Sequence, residues 1–133
     1  MCIRDRDNAA DTRLELKDIA NLQYEKFNIF HFGSIALIDE PTSSTLTKLF
    51  DNFISRGLLT SFDPNVRKSL LKNRKSYNNL VESIIKKVDI LKMSDDDLFY
   101  ITGKKDVEEA VSTLSINEGS ISVSYTHLTL PTT

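Results

Sequence analysis

Short apolar runs alternate with longer amphipathic stretches along this chain, and this alternation constrains the fold more than any other feature. The apolar runs are rich in β-branched and aromatic residues, whereas the stretches between them repeat apolar residues at the three-and-four spacing of a helix. The strand-like runs lie at 27–37, 58–62, 88–93 and, in a shorter form, 121–123. Strands that alternate with helices favour right-handed crossovers in a parallel sheet. We therefore predict an α/β fold, a three-layer parallel sheet with helices on both faces.

The helical stretches carry recognisable end signals. They are predicted to begin near Asp18, Thr42, Tyr77, Ser94 and Asp106. Ser43 or Ser44 is expected to cap the second helix, and Gly57 suits a left-handed residue after its last turn. Ser94 before three aspartates, and Asp106 three residues before Glu109, fit the capping pattern of the last two helices.

The first apolar run is the most aromatic part of the chain. Phe27 to Leu37 is predicted to be a strand buried on both faces, as in a parallel sheet. His31 is expected to be a satisfied sheet histidine, and Gly33 is expected to allow either close packing or the approach of a ligand. The predicted aromatic core consists of Phe27, Phe30, Phe32, Phe50, Phe53 and Phe62.

Length and charge exclude several classes of protein. The 133 residues suffice for one ordinary domain, and 17 basic against 19 acidic side chains give a net charge of −2. We therefore expect no nucleic-acid partner, because no broad cationic field is present to attract phosphates. No apolar run is long enough to span a bilayer, so no membrane partner is expected either. The single cysteine, Cys2, favours a cytoplasmic location.

Both ends of the chain differ from the part between them. Residues 1–6 and 123–133 resemble translated sequencing-adapter tails, and we expect both to be non-native. After Ser122 the sequence has no helical period, and the threonines around Pro131 show no turn pattern. A short terminal strand at 123–130 remains the alternative for the second segment.

Polar residues follow the strand-like runs at three places. In parallel sheets ligands bind beyond the carboxyl ends of the strands. The segments at Gly33-Ser34, Asp63–Arg67 and Lys92–Asp97 are therefore predicted to lie along one rim of the sheet.

These three segments belong to longer blocks that resemble the PfkB/ribokinase family of carbohydrate kinases, in particular its fructokinase branch. The blocks read HFGSIAL at 31–37, SFDPNVR at 61–67 and LKMSDDDLFYITG at 91–103. The resemblance extends from about Asp7 to Ser122, which makes 7–122 a partial ribokinase-like kinase domain. It implies a central sheet with helices on both sides and a small β lid. It also implies transfer of the γ-phosphate of ATP to a sugar hydroxyl with Mg²⁺.

The resemblance assigns roles to the second block. Asn65 and Arg67 match the Asp-Pro-Asn-x-Arg loop of the family, which implies that Asn65 contacts the nucleotide and Arg67 the sugar or a phosphate. Asp63 is expected to hold this loop by accepting backbone hydrogen bonds. Arg6 stands where relatives often have a sugar-contacting arginine, so it is a second candidate for substrate binding.

The third block supplies the remaining candidates. Lys92 and Ser94 are the other implied nucleotide-binding residues, and Asp97 is the implied metal-binding residue. Many relatives have Asn-x-x-Glu where this chain has Ser-x-x-Asp, and Asp97 has one methylene less with which to reach a metal-bound water. Asp95 and Asp96 are expected to be the solvated first turn of a helix.

Two further blocks of the family do not occur in this sequence. One is the glycine-rich segment that receives the sugar, and the other is the Gly-Ala-Gly-Asp block whose aspartate is the catalytic base. We therefore expect a domain truncated at both ends, with no catalytic residue of its own and no kinase activity in isolation.

The predicted function is that of a fragment of an ATP-dependent hexose kinase, with fructose converted to fructose 6-phosphate. A 2-keto-3-deoxygluconate or nucleoside kinase of the same family is one alternative. A non-catalytic truncated α/β domain is the other. The expected partners are ATP and a small sugar, and the resemblance leaves open a homodimer of the full-length protein.

Overall fold

A single parallel sheet of four strands organises the molecule. The computed structural model describes residues 9–114, 116 and 121–124. The strands pair in the order β1-β2-β3-β4, each parallel to its neighbour. Their bounds are β1 Ile29–Gly33, β2 Leu59–Asp63, β3 Ile90–Met93 and β4 Ile121–Ser124. The predicted α/β class and parallel sheet are therefore confirmed.

The described residues also form five α-helices and four short 3₁₀ turns. The helices are α1 Leu16–Ile19, α2 Thr42–Ser55, α3 Arg74–Ile85, α4 Asp95–Thr102 and α5 Val107–Thr113. The 3₁₀ turns are Ala10–Thr12, Tyr24–Lys26, Ser34–Leu37 and Lys68–Leu70.

The core lies between the helices and one face of the sheet. Phe32, Phe62 and Leu91 project from three neighbouring strands to this face, and each is at most 6% exposed. Phe50 of α2 packs on Phe32, with 5.3 Å between the ring centroids, and Phe53 stacks on Phe30 at 5.1 Å. Side chains from α3, α4 and α5 complete the same cluster. Right-handed crossovers between sequential neighbours place their helices on the same side of a sheet, which accounts for this single core.

The opposite face of the sheet is partly open at the beginning of β1 and β2. Ile29 and Leu59 face each other across the two strands and are 46% and 51% exposed. The expectation that the first strand is buried on both faces was therefore wrong. Phe27 is also 41% exposed, so it does not belong to the core. In the part of the chain that the structure describes, the helices that join the strands cover one face only.

Several element bounds differ from the sequence-based expectations. The first predicted helix is a single turn, α1, which begins before Asp18 and ends at Ile19. Ser43 and Ser44 lie inside α2, which follows Pro41 without a side-chain cap. Gly57 has a φ of 69°, so the expected left-handed residue after α2 is confirmed.

The later helices agree more closely with the sequence. Helix α3 begins three residues before the predicted Tyr77, because Asn73 caps it by accepting a hydrogen bond from the backbone of Ser76. Ser94 caps α4, and Asp106 caps α5.

The fourth strand reaches into the segment that was expected to be foreign. Val123 and Ser124 pair with Lys92 and Met93 in parallel register. Almost any sequence can form backbone hydrogen bonds with a strand, so this pairing does not test the origin of the segment. The non-native origin of 123–133 remains a prediction. Arg6 and the remainder of the two expected tails lie outside the described residues.

None of the helices in the described ranges combines the length and the apolar character needed to cross a membrane.

Candidate functional site

The segments after β1, β2 and β3 meet at one edge of the sheet, as the parallel topology requires. Gly33 pairs with Asp63 at the carboxyl end of two neighbouring strands. Strand β3 ends beside them at Met93, and α4 begins two residues later. The predicted rim therefore exists, and the segment Asp63–Arg67, here called the rim loop, lies at its centre.

The first strand holds the rim loop from one side. The Ser34 hydroxyl, which is buried, donates a hydrogen bond to the carbonyl oxygen of Pro64. A Cβ atom on Gly33 would stand 3.3 Å from the carbonyl oxygen of Asp63. This is closer than most side-chain contacts, so the glycine allows close packing, which was one of its two expected roles.

The third strand and α4 hold the rim loop from the other side. Asp97 Oδ1 accepts a hydrogen bond of 2.8 Å from the backbone nitrogen of Val66. Asp97 and Ser94 also form a capping box, in which each side chain accepts a hydrogen bond from the backbone of the other residue. The Asp97 side chain therefore serves α4 and the rim loop together.

Between these two anchors the rim loop presents its polar side chains to solvent. Asn65 has a φ of 40°, in the left-handed region that asparagine tolerates better than most residues. Asn65 and Arg67 are both exposed, whereas Pro64 between the strand and the loop tip is buried. Two of the predicted ligand-binding side chains thus project from one rigidly held turn.

The charges beneath the loop influence one another. Partial burial raises the pKa of Asp63, and the nearby Asp97 raises it further, whereas Lys92 and His31 lower it. A hydrogen bond from the Asn65 backbone also lowers this pKa, which agrees with the expectation that Asp63 accepts donors from its own loop. Lys92 is exposed at the end of β3. Its charge therefore lies close enough to Asp63 to act on it, at the rim where an anion could approach.

Further cations follow the rim loop along the chain. Lys68 and Arg74 both lie over the ring of Tyr100 in α4, at 5.1 and 4.5 Å from its centroid. Such contacts restrain flexible cationic side chains. Arg67 and Lys92 add two more cations to this part of the rim, which also carries the aspartates at the end of β2 and the start of α4.

The described residues do not form a metal site from protein groups alone. Among them, no cluster of three or more His, Cys, Asp or Glu side chains could hold an ion. Mg²⁺ in kinases is held by one or two carboxylates together with substrate phosphates. Each carboxylate oxygen of Asp97 already accepts a backbone hydrogen bond, and the residue is only 6% exposed. As a direct ligand it therefore fits poorly.

The structure brings together five of the six predicted site residues. Asn65, Arg67, Lys92, Ser94 and Asp97 lie on the rim loop, the end of β3 and the start of α4. The sixth, Arg6, is outside the described residues.

Three residues near the rim were not singled out correctly from the sequence. Ser34 was placed at the rim but given no contact, although it anchors the rim loop. Tyr77 of α3 is buried nearby, and burial raises its pKa to about 12 against a smaller lowering by Ser34. Asp95 was expected to be solvated, but it is 6% exposed. Serine, tyrosine and runs of aspartate occur in many structural settings, so these residue types alone did not indicate contacts or burial at the rim.

Fructokinases are similar to this chain both in sequence and in structure. The chain is 34% identical to "Probable fructokinase-2" of Arabidopsis thaliana over 104 residues, which are 78% of this chain and 32% of that protein. It is 33% identical to Fructokinase-1 of Oryza sativa subsp. japonica over 106 residues, 80% of this chain and 33% of the relative. The chain thus spans about a third of the length of these relatives. No family model matches it.

Solved structures share the fold. The fructokinase of Vibrio cholerae O395, in its fructose, ADP and calcium ion bound form, superposes with a TM-score of 0.77 at 27% identity, covering 88% of this chain and 37% of the other. A PfkB protein from Polaromonas sp. JS666 gives 0.76 at 20% identity, covering 90% and 41%. The latter likeness concerns the fold alone.

The fold and the rim therefore define a segment of a ribokinase-like α/β domain. Within that class the chain is a PfkB fructokinase-like segment, as its sequence relatives and its structural neighbours agree.

Proposed function

We propose that this chain is the part of an ATP-dependent sugar kinase that receives the nucleotide phosphates, and that the parent enzyme phosphorylates fructose at its 6-hydroxyl. The observation that carries the proposal is the rim loop, which is held on both sides and exposes Asn65 and Arg67 at the carboxyl edge of a parallel sheet. The fructokinase relatives support the choice of sugar. One structural neighbour was solved with fructose and ADP.

The chemistry of phosphoryl transfer explains the use of such a rim. Negative charge on the transferred group must be stabilised by cations and hydrogen-bond donors, and the protein contributes mainly by positioning them. Arg67 and Lys92 would supply positive charge, and the Asn65 amide would supply a donor on the nucleotide side. Mg²⁺ would come with the ATP phosphates and neutralise part of their charge. Ser94, which caps α4, would add a hydroxyl near the phosphates.

The sequence contains no Gly-Ala-Gly-Asp block, so no described residue is assigned as the base that takes the proton from the sugar hydroxyl. We expect the chain of 133 residues to bind nucleotide without turnover. The sugar specificity, the cytoplasmic location and a homodimer of the full-length protein remain parts of the proposal. Transfer to 2-keto-3-deoxygluconate or to a nucleoside remains the alternative within the family.

Calorimetric titration of the chain with ADP tests the proposal. We expect weak but saturable binding, and Arg67→Gln should reduce the affinity by about tenfold, because a charged hydrogen-bond donor to phosphate is lost. Asn65→Gly should also weaken binding while keeping the loop fold, since glycine accepts the positive φ. Lys48→Gln, on the exposed side of α2, is the matched control for charge and should leave the affinity unchanged.

Absence of any saturable heat with ADP would contradict the nucleotide-binding role and favour a non-catalytic α/β domain. Release of ADP that depends on both ATP and fructose would instead contradict the expected lack of turnover.

A further inference from the structure

We propose that Asp97 is a positioning residue, which fixes the backbone of the rim loop through Val66 and does not act as a metal ligand. The purpose of this positioning rests on the proposed function, because the rim loop carries the groups assigned to the nucleotide and the sugar. The contact itself is a property of this chain and can be tested without any ligand.

The geometry at Asp97 is that of a structural clamp. Its Oδ1 accepts from Val66 N at 2.8 Å, and its Oδ2 accepts from Ser94 N at 3.3 Å. Its own backbone nitrogen donates to Ser94 Oγ at 3.1 Å. The residue is only 6% exposed. Hydrogen bonds to an ionised carboxylate are stronger than those between neutral groups, so one side chain joins the start of α4 firmly to the rim loop.

The position of Val66 in the loop gives this clamp its effect. Val66 lies between Asn65 and Arg67, so its peptide unit sets the directions in which both neighbouring side chains leave the backbone. On the other side of Asn65, the carbonyl oxygen of Pro64 is held by Ser34. Asn65 is therefore bracketed by two anchors, which together favour the unusual positive φ of 40° at this residue. Fixing the loop before a ligand arrives lowers the entropy that binding must overcome.

A metal-binding role would require the Asp97 carboxylate to be accessible to the ion or to its bound waters. Mg²⁺ requires nearly octahedral coordination and keeps several waters. A buried carboxylate whose two oxygens already accept backbone hydrogen bonds offers it little access. The short side chain of aspartate is also well suited to reach backbone donors in its own helical turn and in the adjacent loop.

Amide hydrogen exchange measured by NMR on the whole chain tests the clamp directly. In Asp97→Ala the Val66 amide should exchange about tenfold faster, because its acceptor is lost. Asp97→Asn, which keeps one acceptor oxygen, should restore most of the protection. Asp106→Ala removes the same type of cap from α5, and there the Glu109 amide should respond while Val66 does not.

ADP titrations with and without Mg²⁺ separate positioning from metal binding. The positioning role predicts that Asp97→Ala weakens ADP binding by the same factor under both conditions. A loss confined to the titration with Mg²⁺ would overturn the proposal, and so would unchanged exchange at Val66.

If Asp97→Ala does not fold, the same hydrogen-exchange measurement is made on Asp97→Ser. It keeps a polar group in the first turn of α4 but is too short to bridge to the loop, so faster exchange at Val66 is still expected. If the unmodified chain binds no ADP, the proposed function fails on this chain, whereas the exchange at Val66 still decides the role of Asp97.

Discussion

For single residues of the rim, the pKa of a side chain and the conformation of its backbone depend on the neighbouring elements. Burial and the nearby Asp97 raise the pKa of Asp63, whereas Lys92 and His31 lower it. Asn65 has a left-handed conformation that neither its type nor its neighbours in sequence required. The sequence pointed to both residues, but their conformation and ionisation follow from the elements around them.

The raised pKa of Asp63 has a consequence for stability. Because the folded state holds the proton more tightly than the unfolded chain, this residue lowers the free energy of unfolding as the pH rises from the ordinary aspartate pKa through the raised value. Asp63→Asn removes that titration. We therefore expect the stability of the variant relative to the original chain to increase with pH across this window.

Urea unfolding of both proteins at a series of pH values between about 3 and 7 measures this difference. Asn79→Ser, at an exposed position of α3 that carries no titrating group, is the control and should show no such trend. A relative stability that falls with pH would mean that the ionised form of Asp63 is favoured by folding.

Among the helices and strands, local capping signals predicted the starts of α4 and α5 well. Ser94 and Asp106 accept hydrogen bonds from backbone nitrogens three residues later, as their spacing suggested. The start of α2 at Thr42 was predicted, but its cap at Ser43 or Ser44 was not found, and contacts with another part of the chain hold this end of the helix. The Thr42 hydroxyl accepts a hydrogen bond from Leu14 N, and the Thr45 hydroxyl donates to Leu14 O.

The cap of α4 should contribute measurably to stability. Ser94→Ala removes the acceptor for the Asp97 amide, and we expect a loss of about 1 kcal/mol in the free energy of unfolding. Ser112→Ala is the matched control, because that serine bonds to a carbonyl oxygen inside α5 at an exposed position. Its effect should stay within about 0.5 kcal/mol. Equal losses in the two variants by urea unfolding would argue against a specific capping contribution.

At the scale of the whole molecule, the sheet has one covered and one partly open face. The strand order and the right-handed crossovers put the connecting helices on the face of Phe32 and Phe62. Ile29 and Leu59 are left about half exposed on the other face, side by side on neighbouring strands. Adjacent exposed aliphatic side chains on an edge region of a sheet favour association.

We expect the chain to associate with increasing concentration, and the double substitution Ile29→Thr with Leu59→Thr to reduce this. Threonine keeps the β-branched shape that suits a strand while removing apolar surface. Sedimentation velocity over a range of concentrations provides the measurement. Leu16→Thr, at a residue that is 56% exposed but lies in α1 and not in the sheet, is the control and should leave association unchanged. A monomer at all concentrations would show that the open face does not mediate association.

Local sequence patterns sufficed to predict the alternation of strands and helices, the parallel sheet and the three segments at its rim, because periodicity and turn signals act over a few residues. It also indicated Asn65, Arg67, Lys92, Ser94 and Asp97 as rim residues through the resemblance of their blocks. Three features follow from tertiary contacts instead: one face of β1 and β2 is partly open, Ser34 and Asp97 hold the rim loop, and Asp95 is buried. These features depend on contacts between residues about thirty positions apart or on different elements, which local patterns do not specify.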